Sequence, residues 1–330
     1  MSENIYPLIR LGIVIPCYNE SAVLTKTIPQ FLDFLNTLIE HHSVTNDSFL
    51  LYVDDGSTDL TWSVIDRSQK TYDYPERLKA IRLSTNKGHQ NALAAGMKRA
   101  YEIGAGGVIT IDCDGQDDIN AILYMLCEHY EGNDVVYGVR KNRSTDRWFK
   151  KTTAQVFYKI LNGLGDKSIY NHADYRFMSR KVLTELLKYD EVNLYYRGII
   201  PLVGFKSSVV YYNRQKRISG KTHYSLKKML HLASNGITNS TTKPLHLSLW
   251  ISATMFLISI ASIVLYVFFK NTNQFVTDYI PTIGINAFFA SVNLLCLGII
   301  GEYIAKIHVE TKHRPLYHIM EEINTEGEST

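Results

Sequence analysis

Two stretches of this 330-residue chain hold no Asp, Glu, Lys or Arg, and they restrict its folds more than any other feature. Leu245–Phe269 runs for 25 residues and Ile280–Ile300 for 21. Each is apolar all round rather than along one stripe, which argues against a helical hairpin packed in a soluble core. As helices rising about 1.5 Å per residue, both would cross a hydrocarbon core of about 30 Å. The joining segment "KNTNQFVTDY" carries one Lys and one Asp, whereas the outer flanks carry Lys227, Lys228 and Lys243 on one side and Lys306, Lys312 and Arg314 on the other. Positive-inside bias then puts both flanks in the cytoplasm. The expected organisation is a cytosolic head at 1–224 and an amphipathic juxtamembrane helix at 225–243. A transmembrane hairpin follows at 244–301, with spans about 245–269 and 280–300, and then a cytosolic tail at 302–330. This places a multi-pass protein in the inner or plasma membrane.

The head reads as α/β. Apolar runs "LGIVIP", "FLLYVDD", "LKAIRLS", "GGVITID" and "DVVYGVR" alternate with segments of helical periodicity, the pattern of a mostly parallel sheet covered on both faces. In such sheets ligands bind beyond the carboxyl ends of the strands. Three of these runs end in acids there: Asn19-Glu20, Asp54-Asp55, and the cluster from Asp112 to Asp117. No GxGxxG follows the first strand and no GxxxxGK[ST] occurs, which removes the main support for dinucleotide or P-loop binding. A net charge of +3 with no basic, aromatic-interleaved stripe excludes nucleic acid as the expected partner. Cys17, Cys113, Cys127 and Cys296 form no CxxC pair and suit reduced thiols. The amino terminus "MSENIYPLIR" lacks the apolar region of a signal peptide.

"IDCDGQDD" sets four aspartates in eight positions. Asp112 and Asp114 are two apart and would share one side of an extended backbone. Two such hard donors suit Mg²⁺ or Mn²⁺, which complete their shells with water and substrate phosphates. A metal-bound diphosphate would offset the repulsion and neutralise charge on a leaving nucleoside diphosphate.

"VIPCYNE", "VDDGSTD", "NKGHQNALAAG" and "DCDGQDD", in this order and spacing, resemble the family 2 glycosyltransferases of the GT-A fold. "ADYRFMSRKVL", "RISGKTHYSLKKM" and "GEYIAKIHVETKHRPLY" are similar to segments of the polyprenyl-phosphate glycosyltransferases, of the bactoprenol glucosyltransferase and dolichol-phosphate mannose synthase type. The resemblance implies a head with a Rossmann-like, mostly parallel sheet, a UDP-sugar donor and a polyprenyl phosphate acceptor. It implies that Pro16, Asn19 and Glu20 shape the nucleotide edge and that Asp54 or Asp55 accepts the N3–H of a uracil. Asp112 and Asp114 would hold metal and diphosphate, with Gln116 alongside. Asp174 would stand where the family places a candidate base, with Arg176 beside it, and Arg217 and Lys221 would clasp phosphate oxygens. The chain departs from the family pattern at Asp118-Ile119, where two prolines are usual, at His223, where Lys is common, and at Ser179, where an acid is usual.

Several residues have plainer readings. Asp59, Asp117 and Asp118 suit helix starts, His89 and His172 suit polar surface, and Tyr195, Tyr196, Tyr211 and Tyr212 suit packing between head and membrane face. Trp148 and Trp250 read as interfacial anchors. The expected activity is inverting transfer of glucose or N-acetylglucosamine from UDP to undecaprenyl phosphate at the cytoplasmic face, by a homo-oligomer resting on the bilayer. The alternatives are a GDP-mannose-using polyprenyl-phosphate mannosyltransferase and a non-catalytic membrane scaffold. A processive polysaccharide synthase would need a Gln-x-x-Arg-Trp motif, which the sequence lacks.

Overall fold

The computed structural model describes residues 7–141, 172–189, 191, 195–214, 254 and 279–325. Two compact units emerge: a head of Met1–Lys159, Lys167–Tyr224 and Pro315–Thr330, and a second unit of Ile160–Asp166 and Ser225–Arg314. The expected amphipathic helix at 225–243, Arg217, Lys221, His223, Trp148, Trp250 and all of the first apolar span but Thr254 lie outside the described residues.

The head is built on strands β1 (Leu11–Cys17), β2 (Phe49–Asp54), β3 (Leu78–Leu83), β4 (Gly107–Thr110), β5 (Val135–Arg140), β6 (His172–Ser179), β7 (Ser207–Tyr212) and β8 (Ile319–Ile323). Their spatial order is β7-β5-β6-β4-β1-β2-β3-β8, with β6 and β8 antiparallel to their neighbours. Helices α1 (Ser21–Glu40), α2 (Thr61–Thr71), α3 (His89–Glu102), α4 (Ala121–Tyr130), α5 (Arg180–Leu186) and α6 (Tyr196–Val203) flank it.

Strict alternation in the strands divides the apolar residues between two cores. Ile13, Ile15, Leu50 and Tyr52 pack with Leu24, Ile28 and Leu35 of α1 and with Met125 of α4. Val14, Leu51 and Val53 pack with Leu93 and Met97 of α3 and with Val182 of α5. Because successive side chains point to opposite faces, continuous apolar runs are what a sheet covered on both sides requires. Gly96 lets α3 lie close on this sheet, since a Cβ there would meet Val14 Cγ1 at 2.3 Å and Val53 Cγ2 at 2.8 Å. Two of the four tyrosines depart from their expected place, since Tyr196 and Tyr212 are buried within the head's own cores; Tyr211 is exposed. Ser179, standing where the family usually has an acid, caps α5 by accepting from Val182 N and donates to Asp134 Oδ1 at 2.8 Å.

The tail is more than a tail. Residues 319–323 add a strand to the head, with Arg82 opposite Glu321 and Ile81 opposite Glu322. Arg99 pairs with Glu322, Arg82 with Glu321, and Lys79 Nζ donates to Asn324 O at 2.6 Å. β8 thus covers an edge that β3 would otherwise expose.

In the second unit, helix α7 (Tyr279–Glu310) continues past the expected end at 300. Its stretch Phe288–Glu310 is long and apolar enough to cross a membrane. Glu302, Lys306 and Glu310 recur at four-residue spacing, where opposite charges support a helix.

The close approach at Gly96 generates a prediction. Gly96→Ala should destabilise the head by about 1–3 kcal/mol through overpacking, read as a drop of several degrees in Tm by thermal unfolding. An unchanged Tm would contradict the packing described.

Candidate active site

The carboxyl ends of β1, β2 and β4 lie side by side, and the antiparallel β6 begins at the same rim because Thr110 is paired with Arg176. Asp174 therefore stands beside the end of β4, where Thr110 Oγ1 donates to its carbonyl at 2.5 Å. Asp112 and Asp174, 62 positions apart in the chain, are brought to this rim on either side of His89.

At the β1–β2 edge the acids are held by their own turns. Asn19, in the left-handed region at φ 54, donates its N–H to Ser57 Oγ at 2.9 Å and accepts from Thr58 N at 2.9 Å. Glu20 N donates to Thr61 Oγ1, while Asp59 accepts from Ser21 N and Thr61 N, in keeping with a helix-start role. Pro16 is buried in β1 beside Val53. Asp54 is 0% exposed; its Oδ1 accepts from Ser57 N at 3.0 Å and its Oδ2 lies 3.4 Å from Arg82 Nε. Asp55 is 3% exposed and accepts from Lys87 N at 2.7 Å and Gly88 N at 2.9 Å. Burial raises both carboxyls, against the lowering effect of these N–H groups and, at Asp54, of Arg82. Gly56, at φ +65, packs its α-carbon so close to Thr85 that a Cβ would meet that residue's carbonyl carbon at 2.5 Å.

At the β4–β6 edge the charges are paired across elements. Asp174 is gripped by a bidentate fork from Arg197, with Nε at 3.2 Å and Nη2 at 3.1 Å. Arg176 Nη2 lies 2.5 Å from its Oδ1, and His89 Nε2 lies 3.5 Å from its Oδ2. Burial alone would raise Asp174, but Arg197, His89 and Arg176 outweigh it and hold the carboxyl well below the usual carboxylate range. Arg176 is 1% exposed, so its charge depends on that partner, and burial pulls its pKa down.

Asp112 faces the same histidine, with Oδ1 3.8 Å from His89 Nε2. Burial raises Asp112; His89 opposes the rise, and Asp117, Asp174 and Asp114 add to it. β4 ends at Thr110 and residues 113–114 form a turn, so the same-side argument from extended backbone does not apply. Asp114 is instead buried and turned back, its Oδ1 accepting from Gln116 N at 3.0 Å. Asp117 is not a helix-start residue. It accepts from Tyr212 OH at 2.7 Å and from Arg140 Nη2 at 3.2 Å, and α4 begins only at Ala121. Asp118 does serve the helix start, accepting from Asn120 N. Gln116 Oε1 accepts from Arg214, which precedes the segment carrying Arg217 and Lys221. Cys17 and Cys113 are buried thiols whose pKa values burial pushes well up, which makes them inert.

Two members of the site are not marked out by local sequence. His89 reads as polar surface, yet it bridges Asp112 and Asp174. The one signal for Arg197 is that a lone arginine in the apolar run "YYRGII" implies an anion partner.

Metal binding fits the residues present. Among the described residues no three acids, histidines or cysteines converge on one point. Asp112 and Asp114 suit an ion that takes its other ligands from water and a diphosphate, and the acids crowding Asp112 leave a charge excess that a cation relieves.

Residues 12–187 match Glycosyl transferase family 2, and residues 243–307 match the GtrB C-terminal hairpin. The glycosyltransferase YkoT of Bacillus subtilis (strain 168) is 42% identical over 94% of this chain and 90% of its own length. A bactoprenol glucosyl transferase of Shigella phage SfV is 32% identical over 95% of this chain and 99% of its own. A solved glucosyl-3-phosphoglycerate synthase from Mycobacterium tuberculosis, in complex with Mn²⁺ and UDP-glucose, aligns over 70% of this chain and 78% of its own at 16% identity and TM-score 0.47. The chain belongs to glycosyl transferase family 2. Its head has the mostly parallel GT-A sheet, and its carboxyl-terminal part is a hairpin of the bactoprenol glucosyltransferase type.

The histidine bridge has a definite pH signature. Burial lowers the pKa of His89, but the hydrogen bond to Asp174 and the charges of Asp112 and Asp174 raise it above the ordinary value. A raised pKa means that the bridge stabilises fully below about 6.5 and is lost as pH rises through the folded value. In metal-free buffer, His89→Asn should therefore lower Tm more at pH 6 than at pH 9. The side chain is 42% exposed, so solvent screening keeps the effect small. An equal Tm loss at both pH values would contradict this assignment.

Proposed function

We propose that this glycosyltransferase moves a sugar from a UDP-sugar to a polyprenyl phosphate, with inversion at C1, at the cytoplasmic face of the membrane. One observation carries the choice of acceptor: Asp174, the carboxylate that the family resemblance makes the candidate base, is held by Arg197, Arg176 and His89. A hydroxyl acceptor must lose a proton as it attacks, and a positioned base is then worth roughly 10²–10⁴-fold. A carboxylate held well below its usual pKa makes a poor base. A phosphate monoester, with a second pKa near ~6, is mostly dianionic at neutral pH and needs no proton removed. What it needs is its charge held in line with C1.

In this reading Asp174 orients. It sets the planes of Arg176 and Arg197 against the end of β4 and keeps the charge of buried Arg176 compensated. Arg217 and Lys221 contact phosphate oxygens, the first as a fork and the second as a point charge. Pro16, Asn19 and Glu20 shape the nucleotide edge, and a carboxylate of the Asp54-Asp55 pair accepts from the base. A divalent Mg²⁺ or Mn²⁺ on Asp112 and Asp114, with Gln116 alongside, would neutralise charge on the departing diphosphate. The apolar helix α7 and the hairpin it belongs to keep the head at the bilayer, where the acceptor headgroup is concentrated. The bactoprenol glucosyl transferase relative supports the acceptor class, and it points to glucose ahead of N-acetylglucosamine.

The test uses full-length protein in detergent with a short-chain polyprenyl phosphate and a panel of UDP-glucose, UDP-N-acetylglucosamine and GDP-mannose. Mass spectrometry should find a glycosyl-phosphopolyprenol from a UDP-sugar, and Asp114→Ala should abolish it. Product from GDP-mannose alone, transfer to a polyprenyl alcohol as fast as to the phosphate, or undiminished turnover by Asp114→Ala would overturn the reading.

A further inference from the structure

Strand β8 carries a charge that reaches the nucleotide edge of the head. Glu321 lies opposite Arg82 across the β3–β8 pair, and its Oε1 accepts from Arg82 Nη1 at 2.7 Å. Its Oε2 accepts from Trp62 Nε1 at 2.8 Å, and the same indole lies under the guanidinium, 5.9 Å from its centre. The rest of Arg82 points to the Asp54 turn, with Nη2 3.4 Å from Ser57 O and Nε 3.4 Å from Asp54 Oδ2. One guanidinium is thus shared between two carboxylates, close to Glu321 and loosely to Asp54.

Asp54 Oδ2 is buried and makes no hydrogen bond among the described residues. A buried acceptor left in this state costs free energy that a ligand N–H can recover. Glu321 is what keeps it in this state. Were its charge removed, Arg82 would be released to close on Asp54, since a fork–carboxylate pair is the stronger contact once the competitor is gone.

We propose that Glu321 is a positioning residue for donor binding: by holding Arg82 it leaves Asp54 Oδ2 available to an N–H of the donor's base. The inference rests on the reading that the donor is a UDP-sugar whose base meets the Asp54-Asp55 pair. It gives the segment that follows the apolar helix a role in choosing and holding the donor, beyond covering the edge of β3. Glu322 points the other way, to Arg99 and Thr325, and has no part in this.

Three full-length variants in detergent test it: Glu321→Gln, Glu321→Asp and Glu322→Gln. Glu321→Gln should raise the KM for the UDP-sugar and the Kd for UDP by about three- to tenfold, the range for one partly exposed charged contact. Its kcat should stay within about twofold, as expected for lost ground-state binding. Glu321→Asp, which keeps the carboxylate, should have a donor KM nearer to wild type than Glu321→Gln. Glu322→Gln loosens the same strand and should leave donor KM unchanged. Equal donor KM in Glu321→Gln and wild type, or an equal rise in Glu322→Gln, would overturn the proposal. If Glu321→Gln is too unstable to assay under the standard conditions, the comparison is made at a temperature below its Tm, and a donor KM equal to that of wild type there would do the same. Wild-type protein that binds no UDP would instead overturn the donor reading itself.

Discussion

Repulsion among carboxylates is the constraint on which the site depends. A parallel sheet delivers the ends of β1, β2 and β4 to one rim, and this chain ends those strands with acids. Each acid must find compensation or raise its pKa. Asp54 lies against Arg82, Asp117 against Arg140, and Asp174 against Arg176 and Arg197. Asp55 is satisfied by two backbone N–H groups. Asp112 has a histidine facing it and other acids around it. The arginines are thus placed on the acids that build the rim, and Asp112, in the proposed metal pair, keeps a charge excess. The arrangement reconciles four aspartates in eight positions with a stable fold.

The same accounting assigns different chemistry to similar residues. Asp112 and Asp174 share His89, yet their environments push their carboxyls in opposite directions, one raised and the other held well below its usual value. A raised carboxyl in an acid-rich pocket suits a cation. A depressed carboxyl inside an arginine fork suits a rigid strut. Position in the family pattern does not distinguish these roles, but the neighbours do. The proposed acceptor rests on the same neighbours, because a strut in place of a base would favour a nucleophile that arrives already deprotonated.

Much of this was legible in the sequence. β1 to β5 are marked by apolar runs, and the acids that follow β1, β2 and β4 point to the rim. What was hidden was held by distant contacts. β8 is five residues long with two adjacent glutamates, too short and too polar to stand out, and it is a strand because β3 offers an edge and Arg82 and Arg99 offer partners. Asp112 and Asp114 looked like neighbours on a strand, but the strand stops at Thr110. His89 and Arg197 belong to the site only because β6 runs antiparallel and brings Asp174 to both, a pairing no local pattern reveals.

The central claim is that the acceptor supplies its own negative charge and Asp174 removes no proton. The most direct measurement is the acid limb of the pH dependence of kcat/KM with two acceptors, a polyprenyl phosphate and a polyprenyl phosphonate of higher second pKa. If the account holds, the limb moves to higher pH with the phosphonate, by the difference between the two acceptors' own pKa values. A limb that stays at the same pH for both acceptors, and disappears in Asp174→Asn, would identify Asp174 as the base and contradict the account.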